Sequence, residues 1–273
     1  MQRLFAISDL HLDSKENWSL ITTVCNSRQS RTWHNDWLMI AGDVCQELGR
    51  FSRAIELLTD KFARVIWCPG NRELRARPGE QVGELRYNEL VQICRSYRVA
   101  TPEDSYLEWP AAQERLVIVP LFLLYDYGFR PSEIPEEEAV SWANAQGVST
   151  PDEEEIQTIA FQSKPDWCRH RVAQTKSRLE ALSSSTRTIL VNHFPLRQDR
   201  LRLKLGAAFR IWCGTPATDD WHIRYRARIV IHGHLHSPGV DEIDGVRIEE
   251  VSLGYPHERV AEPNWRNLFR QVL

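Results

Sequence analysis

Three times in the first 71 residues, a run of four apolar side chains stops at a short polar motif and gives way to a helix-like stretch. Leu4 to Ile7 leads to Asp9 and His11, Leu38 to Ala41 leads to Gly42-Asp43, and Val65 to Cys68 leads to Gly70-Asn71. Short apolar runs alternating with helical segments read as the parallel strands of βαβ units. Ligands of such sheets gather outside the carboxyl ends of the strands. The three motifs are therefore expected along one edge of one sheet, which restricts the chain to an α/β fold more tightly than composition does.

The second half repeats the arrangement. Arg115 to Pro120 is one strand, Thr188 to Val191 precedes Asn192-His193, and Arg228 to Ile231 precedes His232-Gly233-His234-Leu235-His236; Val246 to Val251 is a further strand near the end. Ligand-bearing strands in both halves predict a sandwich of two sheets. At 273 residues and 42% hydrophobic content, the chain suits one large domain over 1–273, burying roughly three quarters of its unfolded surface. Between the strand ending at Pro120 and a helix expected from Trp167 to Leu182 lies a long polar stretch containing Glu136, Glu137, Glu138 and Asp152 to Glu155. A connection this long usually has structure or function of its own, so a cap or flap is expected around 124–165; a solvated acidic insertion is the alternative. There are no low-complexity tracts and no fixed-period repeats.

The 34 basic and 37 acidic residues are intermixed and leave a formal charge of -3, so no global field would draw the molecule to nucleic acid. Attraction for an anion must be local. No stretch approaches the roughly 20 apolar residues of a membrane span, and the opening run Leu4 to Ile7 is too short for a signal sequence. The six cysteines are scattered, with no Cys-x-x-Cys pair. Neither a zinc ribbon nor a disulfide framework is suggested, and a reducing cytoplasmic setting is expected.

Asp9-Leu10-His11 puts two ligand types two residues apart, and on an extended segment such residues face the same side. Gly233-His234-Leu235-His236 repeats that logic with two imidazoles, behind a glycine that lets the backbone turn close to a metal. Asp43 adds a carboxylate, His193 another imidazole and Asn71 an amide oxygen suited to a harder divalent ion. Singly these motifs are ordinary turn chemistry; jointly, their order and strand-end placement point to a metal site.

Together, Asp9-x-His11, Gly42-Asp43, Gly70-Asn71-Arg72-Glu73, Asn192-His193 and Gly233-His234-x-His236 resemble the signature of the calcineurin-like metallophosphoesterases. The resemblance implies a four-layer α/β/β/α sandwich of two mixed sheets. It also implies two metal ions (Mn, Fe or Zn), one held by Asp9, His11, Asp43 and His236, the other by Asp43, Asn71, His193 and His234. Two such ions lower the pKa of a water between them and clamp the phosphoryl oxygens during in-line attack.

The pattern departs from the family at one place. Histidine usually follows Gly-Asn and assists the leaving oxygen; here the residue is Arg72, which does not lose its proton near neutral pH. It can clamp phosphate bidentately in an active enzyme, or it can mark a protein that binds phosphorylated ligands without turning them over. His222 and His257 are the remaining candidate proton donors, while His34, His170 and His232 read as structural. Trp212-Cys213-Gly214-Thr215, Asp220-Trp221-His222 and Glu250 to Pro256, with Asn192 to Leu196, further resemble the bacterial phosphopantetheinyl hydrolase group. That implies cleavage of the phosphodiester at a serine of an acyl or peptidyl carrier protein; a nucleotide or other small phosphodiester or monoester is the alternative substrate. Arg197, Arg200, Arg202, Lys204 and Arg210 could form a basic, substrate-binding rim. Trp212 and Trp221 read as core or pocket wall. Neither a membrane nor nucleic acid is expected as a partner.

Overall fold

A computed structural model describes residues 2–28, 33–201, 206–259, 261, 263–264 and 266–273. In chain order the first half contains β1 (Leu4–Ile7), α1 (Lys15–Asn26), β2 (Trp37–Ala41), α2 (Leu48–Thr59), β3 (Arg64–Cys68), α3 (Asn71–Leu74), α4 (Gly83–Ser96), β4 (Leu107–Glu108) and β5 (Leu116–Pro120). There follow α5 (Ala139–Ala145), α6 (Asp152–Glu155), α7 (Lys164–Glu180), β6 (Arg187–Val191), α8 (Trp221–Arg224), β7 (Ala227–His232), β8 (Gly239–Ile243), β9 (Val246–Glu250) and β10 (Arg270–Gln271). One sheet has the order β10-β1-β2-β3 and the other β4-β5-β6-β7-β9-β8. β1, β2 and β3 are parallel, as are β5, β6, β7 and β9; β10, β4 and β8 are antiparallel additions at the edges.

The parity of each strand sorts its residues into layers, because successive side chains point to opposite faces. Leu4, Ala6, Met39, Ala41, Ile66 and Cys68 turn inward and meet Leu116, Ile118, Ile189, Val191, Ile229 and Ile231 between the sheets. The alternate residues Phe5, Ile7, Leu38, Ile40, Val65 and Trp67 face outward onto Ile21, Phe51, Ile55, Leu58 and Leu90 of α1, α2 and α4. On the far side, Val117, Val119, Leu190, Val230 and Ile248 pack on Leu179 of α7 and Trp221 of α8. Both faces of the central strands are thus covered, which is why they read as continuous apolar runs. Each fully buried Leu or Ile contributes about 1.5–3 kcal/mol to this four-layer α/β/β/α sandwich.

Several boundaries differ from expectation. α7 starts at Lys164 rather than Trp167, because Ser163 caps it by accepting from the Asp166 amide and Pro165 occupies its first turn. β8 was not foreseen: Gly239–Ile243 is an edge hairpin strand that exposes Val240 and Glu242 and buries only Ile243, so it leaves no apolar run. The two-residue strands β4 and β10 are too short to leave a pattern. The polar stretch before α7 holds α5 and α6, and its Tyr125, Tyr127, Ala139, Ala143 and Ile156 join the same apolar cluster as the outer face of β1 to β3. All six cysteines are free and buried.

Candidate metal centre

Because β1, β2, β3, β6 and β7 run parallel within their sheets, their carboxyl ends deliver Asp9, His11, Asp43, Asn71, His193, His234 and His236 to one place. The pleat is not what aligns the paired ligands, contrary to expectation. Asp9 and His11 lie past the end of β1 and His234 and His236 past β7, and all four adopt left-handed backbone with φ of 51, 42, 73 and 49°. Asp43 does the same at 55°. Non-glycine residues in this region cost of order 1–3 kcal/mol each and persist where the surroundings hold them. Tight loops hold them here: a Cβ on Gly42, itself at φ +81°, would meet the Gly70 amide at 2.5 Å and His193 Nδ1 at 2.8 Å. Gly233 is required for space alone, since a Cβ there would run into the Ser8 hydroxyl and the Asp9 carboxylate.

The side chains converge with their lone pairs inward. His11 Nε2 and His236 Nε2 are 2.9 Å apart, and His193 Nε2 is 3.0 Å from the Asn71 carbonyl oxygen and 3.5 Å from Asp43 Oδ1. Asp9 belongs to two ligand clusters, one with His11 and His236 and one with Asp43 and His193. The outer atoms of four of these ligands are tied elsewhere, whereas His11 Nδ1 and His234 Nε2 have no hydrogen-bond partner among the described residues. His193 Nδ1 donates to the Ala41 carbonyl (2.9 Å) and His236 Nδ1 to Glu258 (2.7 Å), which leaves both Nε2 lone pairs for the centre. Asp9 Oδ2 accepts from the His234 amide at 2.9 Å and lies 2.6 Å from the Ser252 hydroxyl, so Oδ1 faces the histidines. Asn71 gives its NH₂ to Asp152 (3.2 Å), which fixes its carbonyl oxygen toward the centre. Glu73 ties the loops after β2 and β3 together, accepting from the amides of Asp43 (3.0 Å), Val44 (2.9 Å) and Gly70 (3.1 Å).

Electrostatics agree with a cation at this point. Burial pushes His11 down to about 3 and holds His234 well below the usual histidine range, so both imidazoles are neutral, as ligands must be. Burial also disfavours charge on His236, but Asp9 and Glu258 outweigh it and raise the group to about 9. Without a metal, a proton on His236 partly compensates the carboxylates. A divalent ion would take its place.

The metal-ligand set opens into a cavity of about 520 Å³, whose other walls include Arg72, Arg75, Pro151, Phe209, Tyr255 and His257. A larger concavity, about 680 Å³, lies near Glu56, Arg64 and Arg98 and contains none of the ligand residues. Arg72 donates from its backbone amide to Asp43 Oδ1 (2.8 Å) and from Nη2 to the Tyr255 hydroxyl (2.5 Å). His257 is exposed and stacks on Tyr255, whose other stacked partner is His11 at 4.2 Å. His222 is not among the cavity-lining residues: it is buried in α8 and paired with Asp244 (2.9 Å). Arg197 is likewise turned away, bonded to Asp199, the Asp219 carbonyl and His222. Arg210 bonds the Ala207 carbonyl, while Arg202, Lys204 and the Arg200 side chain lie outside the described residues. Trp212 and Trp221 are buried, the former donating to Glu153.

The calcineurin-like phosphoesterase family profile matches residues 2–238, a span that contains every one of these ligands. The chain belongs to that family. Within it, the chain is 40% identical over 276 aligned residues, 99% of its length and 83% of the relative's, to the acyl-carrier-protein phosphodiesterase PptH of Mycobacterium tuberculosis. The crystal structure of phosphopantetheinyl hydrolase (PptH) from the same organism superposes with a TM-score of 0.90 at 39% identity, over 100% of this chain and 96% of that one.

Calcineurin-like phosphoesterases use a dinuclear metal centre, and the residues present fit one. Facing imidazole nitrogens 2.9 Å apart, and an imidazole nitrogen 3.0 Å from an amide oxygen, are stable only with a proton or a cation between them. The histidine, carboxylate and amide donor set suits a borderline or hard transition ion. Sequence reasoning missed Asp152, Glu258, Tyr255 and Arg75; Asp152 is 81 positions from Asn71, Glu258 is 22 positions from His236 and Tyr255 is distant in the chain from His11, while Arg75 follows Asn71 closely but carries no motif of its own. The one sequence signal was that Tyr255 lies within the Glu250 to Pro256 motif and Glu258 two residues past it.

Proposed function

We propose that this protein is a dinuclear metal-dependent phosphodiesterase that releases 4'-phosphopantetheine from the serine of an acyl or peptidyl carrier protein. The carrying observation is the 40% identity to an acyl-carrier-protein phosphodiesterase over nearly the whole chain, combined with a complete ligand set beside an open cavity. Asp9, His11, Asp43 and His236 would hold one ion and Asp43, Asn71, His193 and His234 the other, with Mn, Fe or Zn the expected metals. When bound, the ions supply Lewis acidity toward the phosphoryl group and an activated water.

The chain's own residues do the rest. Arg72, fixed by Tyr255 and the Asp43 carboxylate, presents its guanidinium to a phosphoryl oxygen; it donates only, so it stabilises charge without moving a proton. Arg75 is neutralised by Asp152 at 2.6 Å, so Arg72 supplies the more available positive charge on that wall. The cavity lies within the range of small-molecule sites and admits an extended arm, with Phe209 and Pro151 as apolar wall.

Purified protein with Mn²⁺ and a holo-carrier protein should yield the apo carrier and free 4'-phosphopantetheine by mass spectrometry. If the carrier stays intact while a small diester is hydrolysed, the substrate assignment falls and the phosphodiesterase remains.

A further inference from the structure

We propose that Tyr255 donates the proton that the leaving oxygen needs, in the role that Arg72 cannot fill. The inference rests on the phosphodiesterase reading above but not on its carrier-protein substrate.

Hydrolysis of an alkyl phosphodiester expels an alkoxide, which is a poor leaving group unless it is protonated as the bond breaks. The position after Gly70-Asn71 holds Arg72, which has donors but no labile proton near neutral pH. His222 is sequestered against Asp244 and Arg197. His257 is exposed, and Tyr255 separates its ring from His11.

Tyr255 is placed differently. Its ring stacks on the ligand His11 with centroids 4.2 Å apart and planes 9° apart, and it lines the same cavity. Its backbone amide donates to Glu258 at 2.7 Å, the carboxylate that also holds His236. The phenol is therefore anchored beside both His11 and His236. Its hydroxyl lies 2.5 Å from Arg72 Nη2. A guanidinium can only donate, so the phenolic oxygen must accept in this contact. The hydroxyl proton is left unspent, and among the described residues no acceptor takes it. That contact orients the hydroxyl, so Arg72 fixes how the proton is presented. Arg72 thus acts on the proton through Tyr255 as well as on the phosphoryl group directly.

In the step, the water oxygen bonds to phosphorus and the bond from phosphorus to the leaving oxygen breaks, its electron pair staying on that oxygen. The Tyr255 proton moves to it, giving a neutral alcohol. One proton of the attacking water returns through solvent to the phenolate.

The test compares wild type with Tyr255→Phe on methyl aryl phosphodiesters running from nitrophenyl to unsubstituted phenyl, and on holo-carrier protein. Tyr255→Phe should lose about 10²–10³-fold on the carrier, progressively less from the phenyl to the nitrophenyl ester, and under about fivefold on the nitrophenyl ester, whose leaving group needs no acid. Metal content by elemental analysis should match wild type. A loss equal across the series, or none, overturns the proposal, as does lost metal. If wild type cleaves the small diesters but not the carrier, and the variant still steepens the leaving-group dependence, only the substrate reading fails. Absence of any diester hydrolysis by wild type overturns both.

Discussion

Asp152 sits in the acidic run Asp152 to Glu155, yet it is buried to 1% exposure, and its replacement is the sharpest test of how the centre is supported. Its Oδ1 accepts from Arg75 Nε at 2.6 Å and from the Asn71 NH₂ at 3.2 Å, and its Oδ2 lies 3.5 Å from the Tyr125 hydroxyl. The Arg75 side chain is only 11% exposed. Removing one partner of a buried ion pair leaves the other uncompensated, which costs about 3–5 kcal/mol. For a chain of this size that is a fall in Tm of roughly 5–9 °C. Asn71 also loses the group that fixes which amide atom faces the metals, so metal affinity should fall about 10–100-fold. Asp152→Ala should show both effects in thermal unfolding of the chelated protein and in titration of Mn²⁺ against a chromophoric chelator. Asp152→Asn keeps an acceptor for Asn71 and should lose more stability than affinity. Glu154→Ala, at an exposed position of the same run, should stay within about 0.5 kcal/mol of wild type. If Asp152→Ala matches Glu154→Ala in both measurements, the acidic run is a solvated face and the reasoning fails.

Glu258→Ala removes the acceptor for His236 Nδ1 and should weaken metal binding about 10–100-fold, read by equilibrium dialysis with elemental analysis; unchanged affinity would refute its orienting role. Arg72→Ala should lower kcat/KM on a diester about 10²–10³-fold, the effect of losing one preorganised charge-stabilising donor, whereas a gain of activity in Arg72→His over an inactive wild type would favour a binding protein. The metal-free protein should lose stability in alkali. His236 is raised from 6.5 to about 9 on folding, so its contribution is fully present below pH 6.5 and disappears as pH rises through about 9. Thermal unfolding of chelated protein at pH 7 and pH 10 checks this, and the decline should be smaller but still present in Glu258→Ala, because Asp9 raises His236 more than Glu258 does.

The parts of the fold legible in the sequence are those written in short-range pattern. Runs such as Leu38 to Ala41 are apolar on both faces because one face meets the second sheet and the other meets helices, so β1, β2, β3, β6 and β7 could be read directly. The edge strands could not: β8 pairs on one side only and carries Asp241 and Glu242, and nothing in Arg270–Gln271 distinguishes a strand from a tail. The metal ligands were legible for a similar reason, since each sits within a few residues of a strand end. Their supports were not, because Asn71 is held by a residue 81 positions away and Asp9 is 2.6 Å from the hydroxyl of Ser252, 243 positions away.

The same contrast explains why the left-handed ligands escaped notice. Asp9, His11, Asp43, His234 and His236 are not glycines, and nothing in their own sequence demands positive φ. The demand comes from packing: Gly42 and Gly233 bring loops from different strands into contact so close that no Cβ fits between them, and the ligands turn with those loops. At roughly 1–3 kcal/mol each, five strained residues would be untenable on an isolated loop. They persist because each loop is the end of a strand buried on both faces, where a single Leu or Ile returns a comparable amount. The continuous apolar runs and the strained polar motifs that follow them are therefore one device. The core fixes the strand ends, and the strand ends hold the ligands in a geometry that their own backbone preferences would not choose.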